Sequence, residues 1–325
     1  MKIEKRYFYV SILVAIILAI AFFYYKYSQE NQKTAKTIGE EQAAWVVDKA
    51  GYLSYPLDRN AVKFNRQNYG ETENLTISKI IYQSTNGNIY GLLLLPKTAA
   101  EPLPGIVLLP GAGIPKENEL ELAKKIAELD SAVLVIDQRG IGETNGIFPT
   151  LDEDYASFLA GKEPHQHFMV YDALRAYDLL KSASFVDSGR IILVGEGLGG
   201  RIAVIAAAID RNIEGVLVIS SSGFDFKGGN DTNKDAFLKS IDSDHYIGLI
   251  TPRTLVMMHN VQDKIIPLSS AINSYSKAQE PKQFVLVNDT ACNYSYCESM
   301  YNGLVESLDY LVGIKSKTLV SIPME

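Results

Sequence analysis

From residue 75 onward the chain alternates short apolar runs with longer amphipathic ones. Residues 75–82 alternate as a half-buried strand, Asn86-Gly87 marks a tight turn, and residues 89–95 form a second strand, which together predict a β-hairpin. Further strands are predicted over 105–109, 132–136, 191–194, 215–219, 254–258 and 284–287. Helices over 117–129, 167–181 and 198–209 fall between them, and others should follow the last two strands. Short apolar strands alternating with helices predict an α/β domain: a mostly parallel central sheet with helices on both faces. The hairpin adds antiparallel strands at one edge. Upstream, residues 42–50, with Trp45, Val46 and Val47, are read as a short helix packing on the domain, and 52–73 receives no assignment.

The N-terminus carries a different pattern. Lys2, Lys5 and Arg6 precede an uncharged apolar stretch over residues 7–25, which Lys26 closes. As a helix at ~1.5 Å per residue it would span about 28 Å, close to the hydrocarbon thickness of a bilayer. Tyr7, Phe8 and Tyr9 at one end and Phe22, Phe23, Tyr24, Tyr25 and Tyr27 at the other match interfacial aromatic belts. Ala19-Ile20-Ala21 offers a signal-peptidase site, but cleavage there would leave a Phe-Phe-Tyr-Tyr terminus, so an uncleaved transmembrane helix is expected. The expected organisation is therefore an anchor over 1–27, a polar stalk over 28–40 and one domain over 41–325. The basic residues before the span place the N-terminus in the cytoplasm and the domain outside it, at the cell membrane.

The whole chain has 325 residues, 47% of them hydrophobic, enough for a sizeable core. A formal charge of -7 without any basic stripe argues against a nucleic-acid partner. No cofactor or metal is expected. Cys292 and Cys297 form a C-x4-C pair with too few ligands for zinc. Outside the cytoplasm they could form a local disulfide; if reduced, Cys292 would be a thiol near Asp263.

The apolar strand over 190–194 runs into Gly195-Glu196-Gly197-Leu198-Gly199-Gly200 and then a helix. A strand, G-x-S-x-G and a helix make a nucleophile elbow, and here the spacing is kept with Gly197 at the serine position. Three other segments fall in order around it: Leu108-Leu109-Pro110-Gly111-Ala112-Gly113, Asp137-Gln138-Arg139-Gly140-Ile141-Gly142-Glu143-Thr144, and the 254–259 strand followed by Asp263 and Pro267. Over residues 77–312 the chain resembles the α/β-hydrolase superfamily, most nearly its dienelactone hydrolase and prolyl-oligopeptidase-like branches. The resemblance implies that the Ala112 and Leu198 N–H groups form the oxyanion niche and that Asp263 is the triad acid. It implies a histidine in the loop after residue 287, where Cys292 stands instead and no histidine occurs.

Ser-His-Asp catalysis needs a nucleophile, a base and an orienting acid. On this reading Asp263 alone remains, with Gly197 and Cys292 at the vacant serine and histidine positions. His259 ends the strand before the acid loop, where a structural role is expected, and His165 and His167 are expected as caps or surface residues. Ser220, Ser221 and Ser222, at a strand end on the active-site edge, are the candidates for a displaced nucleophile. The sequence thus points to a membrane-anchored pseudo-hydrolase that binds an ester or carboxylate ligand, or a protein partner, over Ala112, Gly197 and Asp263. An active serine esterase or peptidase with displaced groups is the alternative. A purely structural cell-surface protein is a third, against which a pocket lined by Phe148 and Tyr155 would count.

Overall fold

The computed structural model describes residues 45–98 and 102–314. The expected anchor and stalk lie outside these residues. Among the described residues no helix is long and apolar enough to cross a membrane.

The first described element corrects an expectation. In place of the short helix expected over 42–50, β1 (Val46–Val47) pairs antiparallel with β2 (Leu53–Ser54). Two adjacent β-branched residues suit an extended backbone. The Asp48 carboxylate then closes the turn, accepting the N–H groups of Ala50 and Tyr52 at 2.9 Å each. The unassigned stretch before residue 75 contains β3 (Phe64–Glu71), an edge strand whose residues are nearly all exposed.

The hairpin forms as expected, from β4 (Leu75–Ser84) and β5 (Gly87–Pro96), with Asn86 in the turn at φ +59°. The remaining strands are β6 (Leu103–Leu109), β7 (Ala132–Ile136), β8 (Val186–Glu196), β9 (Gly215–Ile219), β10 (Thr254–Asn260) and β11 (Lys282–Val287). The nine-stranded sheet runs in the order β11-β10-β9-β8-β6-β7-β5-β4-β3. Strands β6 to β11 pair parallel with one another, and β5, β4 and β3 add antiparallel partners at one edge.

The helices are α1 (Leu120–Ala127), α2 (Leu151–Leu159), α3 (His165–Ser182), α4 (Leu198–Ile209), α5 (Thr232–Ser240), α6 (Ser243–Tyr246), α7 (Leu268–Lys277) and α8 (Tyr301–Val312). Two hydrophobic clusters flank the sheet. One joins Val107 and Leu193 to Leu174 of α3 and Ile202 of α4. The other joins Ile106 and Ile192 to Leu122 of α1 and Leu308 of α8. Neighbouring residues of one strand therefore belong to opposite cores, which is why β6, β7 and β9 read as unbroken apolar runs.

This layering sends the loops after β6, β7, β8, β10 and β11 to the carboxyl edge of the parallel strands, where ligands bind in open α/β sheets. The turn from β8 into α4 is unusually close to its neighbours. A Cβ on Gly199 would collide with the Leu109 carbonyl, and one on Gly195 with the backbone of Gly199 and Gly200. Only glycine at both positions lets α4 begin directly behind β6.

Candidate active site

Gly197 is the single residue between β8 and α4, with φ +49° and ψ -113°. That backbone lies outside the regions L side chains readily adopt, as a nucleophile elbow requires. Its N–H donates to the Ile219 carbonyl at 3.1 Å, and its own carbonyl accepts from the Ser221 hydroxyl at 2.6 Å. Two sides of the elbow are thus fixed by β9 and the loop after it. The Leu198 and Ala112 N–H groups, expected to line the niche, donate to no partner among the described residues.

The space above Gly197 is filled from a distant part of the chain. A side chain built on Gly197 would run into the Tyr294 hydroxyl, and a Cβ on Gly111 would stand 2.9 Å from the same oxygen. The phenol therefore sits between the elbow and the loop after β6, at the mouth of the niche. Burial, and then the carboxyls of Glu196, Asp263 and Glu119, push the phenol up to about 12, so it keeps its proton. A tyrosine hydroxyl thus occupies the place where a serine side chain would project.

Tyr294 belongs to a loop closed on itself. Cys292 and Cys297 are joined in a disulfide, which settles the choice left open between bridge and free thiol. Asn260, at the end of β10, donates to the carbonyls of Cys292 and, at 2.8 Å, Asp289. The Lys264 N–H, next to the expected acid, donates to the Asn293 carbonyl at 2.8 Å. Glu196 accepts from the Ser295 hydroxyl and, at 3.0 Å, from the Tyr296 N–H. Glu196 is buried and also hydrogen-bonds Glu119. Burial raises both acids, Glu119 to about 7, and the proximity of Glu119 lifts Glu196 further, so the pair holds at least one proton at neutral pH.

Asp263 follows β10 as expected, and its Oδ1 accepts the N–H groups of Ile265 and Ile266 at 2.8 Å each. Its Oδ2 is buried without a hydrogen-bond partner. The nearest histidine nitrogen, His259 Nε2, stands 3.9 Å away and donates instead to the Ile266 carbonyl at 2.9 Å. His259 thus braces the acid loop, the structural role expected of it. Burial lowers all four histidines, which favours the neutral ring in each.

His167 departs from its expected cap or surface role. It is wholly buried, with Trp45 and Phe158 against its ring, because the α3 face that carries it looks into the core. Its Nε2 lies 2.7 Å from the Ser240 hydroxyl, but its Nδ1 has no partner, and burial pulls the ring down to about 3. A Ser-His contact sealed in the core, with no orienting acid, cannot meet a substrate. The serines at the end of β9 also lack a base: Ser221 serves Gly197, and Ser220 donates to the Ser295 carbonyl at 3.4 Å.

The buried His167 gives the fold a measurable pH response. Its native value lies below the unfolded value near 6.5, so its stabilisation is complete above pH 6.5 and is lost as pH falls toward 3. Glu119 and Glu163, both raised to about 7 by burial, act oppositely: their stabilisation is complete below about 4.5 and is lost as pH rises through 7. Urea unfolding of wild type and His167→Gln isolates the histidine. Between pH 7.5 and 5.5 the wild type should lose about 1 kcal/mol more than the variant; parallel pH profiles would place a charged, solvated ring at 167.

The aromatics of the segment after β7 do not gather into one wall. Phe148 packs on His165 with ring centroids 5.2 Å apart, whereas Tyr155 packs on Phe237 and donates to Asp231 at 3.1 Å. A cavity of about 240 Å³ does open beside α7, lined by Gly223, Phe224, Asp225, Ser269, Ser270 and Asn273. None of the expected site residues lines it. The Asp137 loop is structural in detail: Asp137 accepts from Lys116 Nζ at 2.8 Å, and Gln138 donates to the Pro110 carbonyl at 2.6 Å.

Tyr294, Glu119 and the Glu196 contacts escaped the sequence reading. Each is a contact between segments far apart in the chain, and the only local signal was the apolar-polar mixture after β11.

The profile of the family described as "Acetyl xylan esterase (AXE1)" matches residues 57–228. Among curated proteins, "Uncharacterized protein YfhR" of Escherichia coli O157:H7 is 25% identical over 173 residues, covering 52% of this chain and 55% of that protein. YfhR of Salmonella typhi is 22% identical over 182 residues. The chain thus spans about half the length of the curated relatives it matches. Among solved structures, an acetyl xylan esterase from Paenibacillus sp. R4 superposes with a TM-score of 0.64 at 20% identity, over 77% of this chain and 88% of that one. Acetyl xylan esterase 1 from Thermoanaerobacterium sp. JW/SL YS485 superposes at 0.63 and 15% identity, over 78% and 89%. At those identities the likeness speaks for the α/β-hydrolase fold.

Proposed function

Since the chain belongs to the acetyl xylan esterase (AXE1) family, an esterase-like group of α/β-hydrolases, we propose that it keeps the scaffold and the oxyanion niche but has no hydrolytic triad. The observation that carries this reading is the Tyr294 hydroxyl lodged over Gly197. A protonated phenol with no base hydrogen-bonded to it is a poor nucleophile, and the nearest histidine to Asp263 is spent on a backbone carbonyl. The niche can hold the oxygen of a carbonyl or carboxylate without cleaving a bond. In this proposal the domain is an extracytoplasmic binding protein, tethered to the cell membrane by residues 7–25. The basic residues before that stretch support the orientation, and the Cys292–Cys297 bridge fits an oxidising compartment.

Short-chain acyl esters and a fluorophosphonate probe, applied to the full chain in detergent, test the proposal. The expected result is hydrolysis no faster than buffer and no covalent label. Turnover above buffer with a covalently labelled serine would end the proposal and identify the nucleophile of an active esterase.

A further inference from the structure

We propose that the loop over 292–297 is a redox-releasable plug, with Tyr294 as the stopper that fills the space over Gly197 and the Cys292–Cys297 disulfide as the catch that keeps it there. The use of the opened niche rests on the binding role proposed above; the plug itself stands on its own geometry. Tyr294 is the second residue after Cys292 and the third before Cys297, so the bridge closes the loop around it. Its hydroxyl projects into the side-chain space of Gly197 and lies against Gly111, the residue before the niche's Ala112. Nothing else in the loop reaches the elbow backbone in this way. Ser295 and Tyr296 turn instead onto Glu196, and the Ser295 backbone takes φ +68° to make that turn.

The two sulfurs differ in access. Cys292 is buried within the cluster that holds Leu304 and Met300, while Cys297 is only partly buried and its sulfur stands 3.3 Å from the Ser299 hydroxyl near the surface. A dithiol reductant would therefore attack the Cys297 sulfur. Its thiolate forms a mixed disulfide there, the bond to Cys292 breaks, and the departing Cys292 sulfur takes a proton. The reductant's second thiol then displaces Cys297, leaving two cysteine thiols and an oxidised reductant: two electrons and two protons transferred in all. Without the bridge the loop gains conformational freedom at its ends, and the remaining hold on Tyr294 is the hydrogen bonds that its neighbours accept from Asn260 and Lys264 and donate to Glu196. Those bonds are made to the backbone and to Ser295, and none is made by the phenol. Withdrawal of the ring costs the loop no hydrogen bond of its own and opens the space over Gly197, beside the Leu198 N–H.

Amide hydrogen exchange on the full chain in detergent tests this, with and without dithiothreitol, alongside hydroxyl-radical labelling of Tyr294. Reduction should raise exchange about tenfold in peptides covering 197–200 and 288–300, raise labelling of Tyr294, and leave β6 to β9 unchanged. Cys292→Ser/Cys297→Ser should reproduce the reduced pattern without reductant. In the oxidised protein Tyr294→Ala should speed exchange over 197–200 while 288–300 stays protected, which separates the plug from its catch. Unchanged exchange at 197–200 on reduction would overturn the proposal, because the hydrogen bonds alone would then hold the ring. Faster exchange throughout the sheet would also overturn it, since the bridge would then be a global staple. None of these readouts needs a ligand or turnover, so active hydrolysis would sink the binding role and leave the plug standing.

Discussion

Gly197→Ser, the substitution that would restore a nucleophile by sequence logic, is expected to destabilise the domain by about 2–5 kcal/mol and to yield no esterase activity. Two costs combine. A serine must adopt the φ +49° backbone that glycine takes freely, and its side chain must displace the Tyr294 hydroxyl. The bridge and the hydrogen bonds on either side of Tyr294 keep the loop from yielding. Tyr294→Ala should be costly alone, through lost packing, yet should relieve the serine variant, giving a favourable coupling of about 1–3 kcal/mol in a double-mutant cycle. Urea unfolding followed by Trp45, the chain's single tryptophan, reads all four proteins, since that ring packs on His167 in the core. Additive single effects would mean that Tyr294 and residue 197 do not compete for space. Introducing histidine at 292 cannot complete a triad either, because it removes the bridge and puts an imidazole into a buried sulfur's place.

The parts of the fold that could be read in advance are those whose cause is local. The elbow announces itself through Gly195, Gly197 and Gly199, because the first lies against the start of α4, the second turns at φ +49° and the third lies against Leu109. The hairpin is legible at Asn86, and α4 begins and ends where its apolar pattern does. Strand β3 was invisible because an exposed edge strand has no buried face to impose alternation. Val46 and Val47 misled because a two-residue strand is decided by its partner at Leu53 and Ser54, not by periodicity. His167 could not be placed inside, since its neighbours Trp45 and Phe158 come from other segments. The same holds for the site: Asp263 follows from its strand end, whereas Tyr294 lies 97 residues beyond Gly197 and is known there only from the folded chain.

The Asp137 loop shows that part of the hydrolase signature has a structural cause of its own, and it carries the other large expected effect. Lys116 and Asp137 are both fully buried, with Nζ 2.8 Å from Oδ2. Burial alone would lower the Lys116 ammonium, but hydrogen bonds to Asp137, Glu117 and Glu143 raise it overall. Asp137 further accepts the N–H groups of Lys116 at 2.8 Å and Glu143 at 2.9 Å, so one carboxylate ties the loop after β6 to the loop after β7. Removing it in Asp137→Ala leaves two backbone donors without an acceptor and the buried ammonium with only Glu117 and Glu143, at a cost of about 3–5 kcal/mol. Lys116→Met should cost less, because the carboxylate keeps both N–H partners and the neutral stem still fills the space. Unfolding midpoints in urea would rank the two; equal costs would make the ion pair, rather than the carboxylate's three-way bridge, the stabilising unit. Arg139 obeys the same logic through its paired contacts with Asp172 at 2.7 and 2.8 Å. Asp137 and Gln138 hold up the loop that bears Ala112 whether or not an ester is ever cleaved. A serine at 197 or a histidine after β11 would contribute chemistry alone, and in this chain those places hold glycine, a disulfide and the reach of Tyr294.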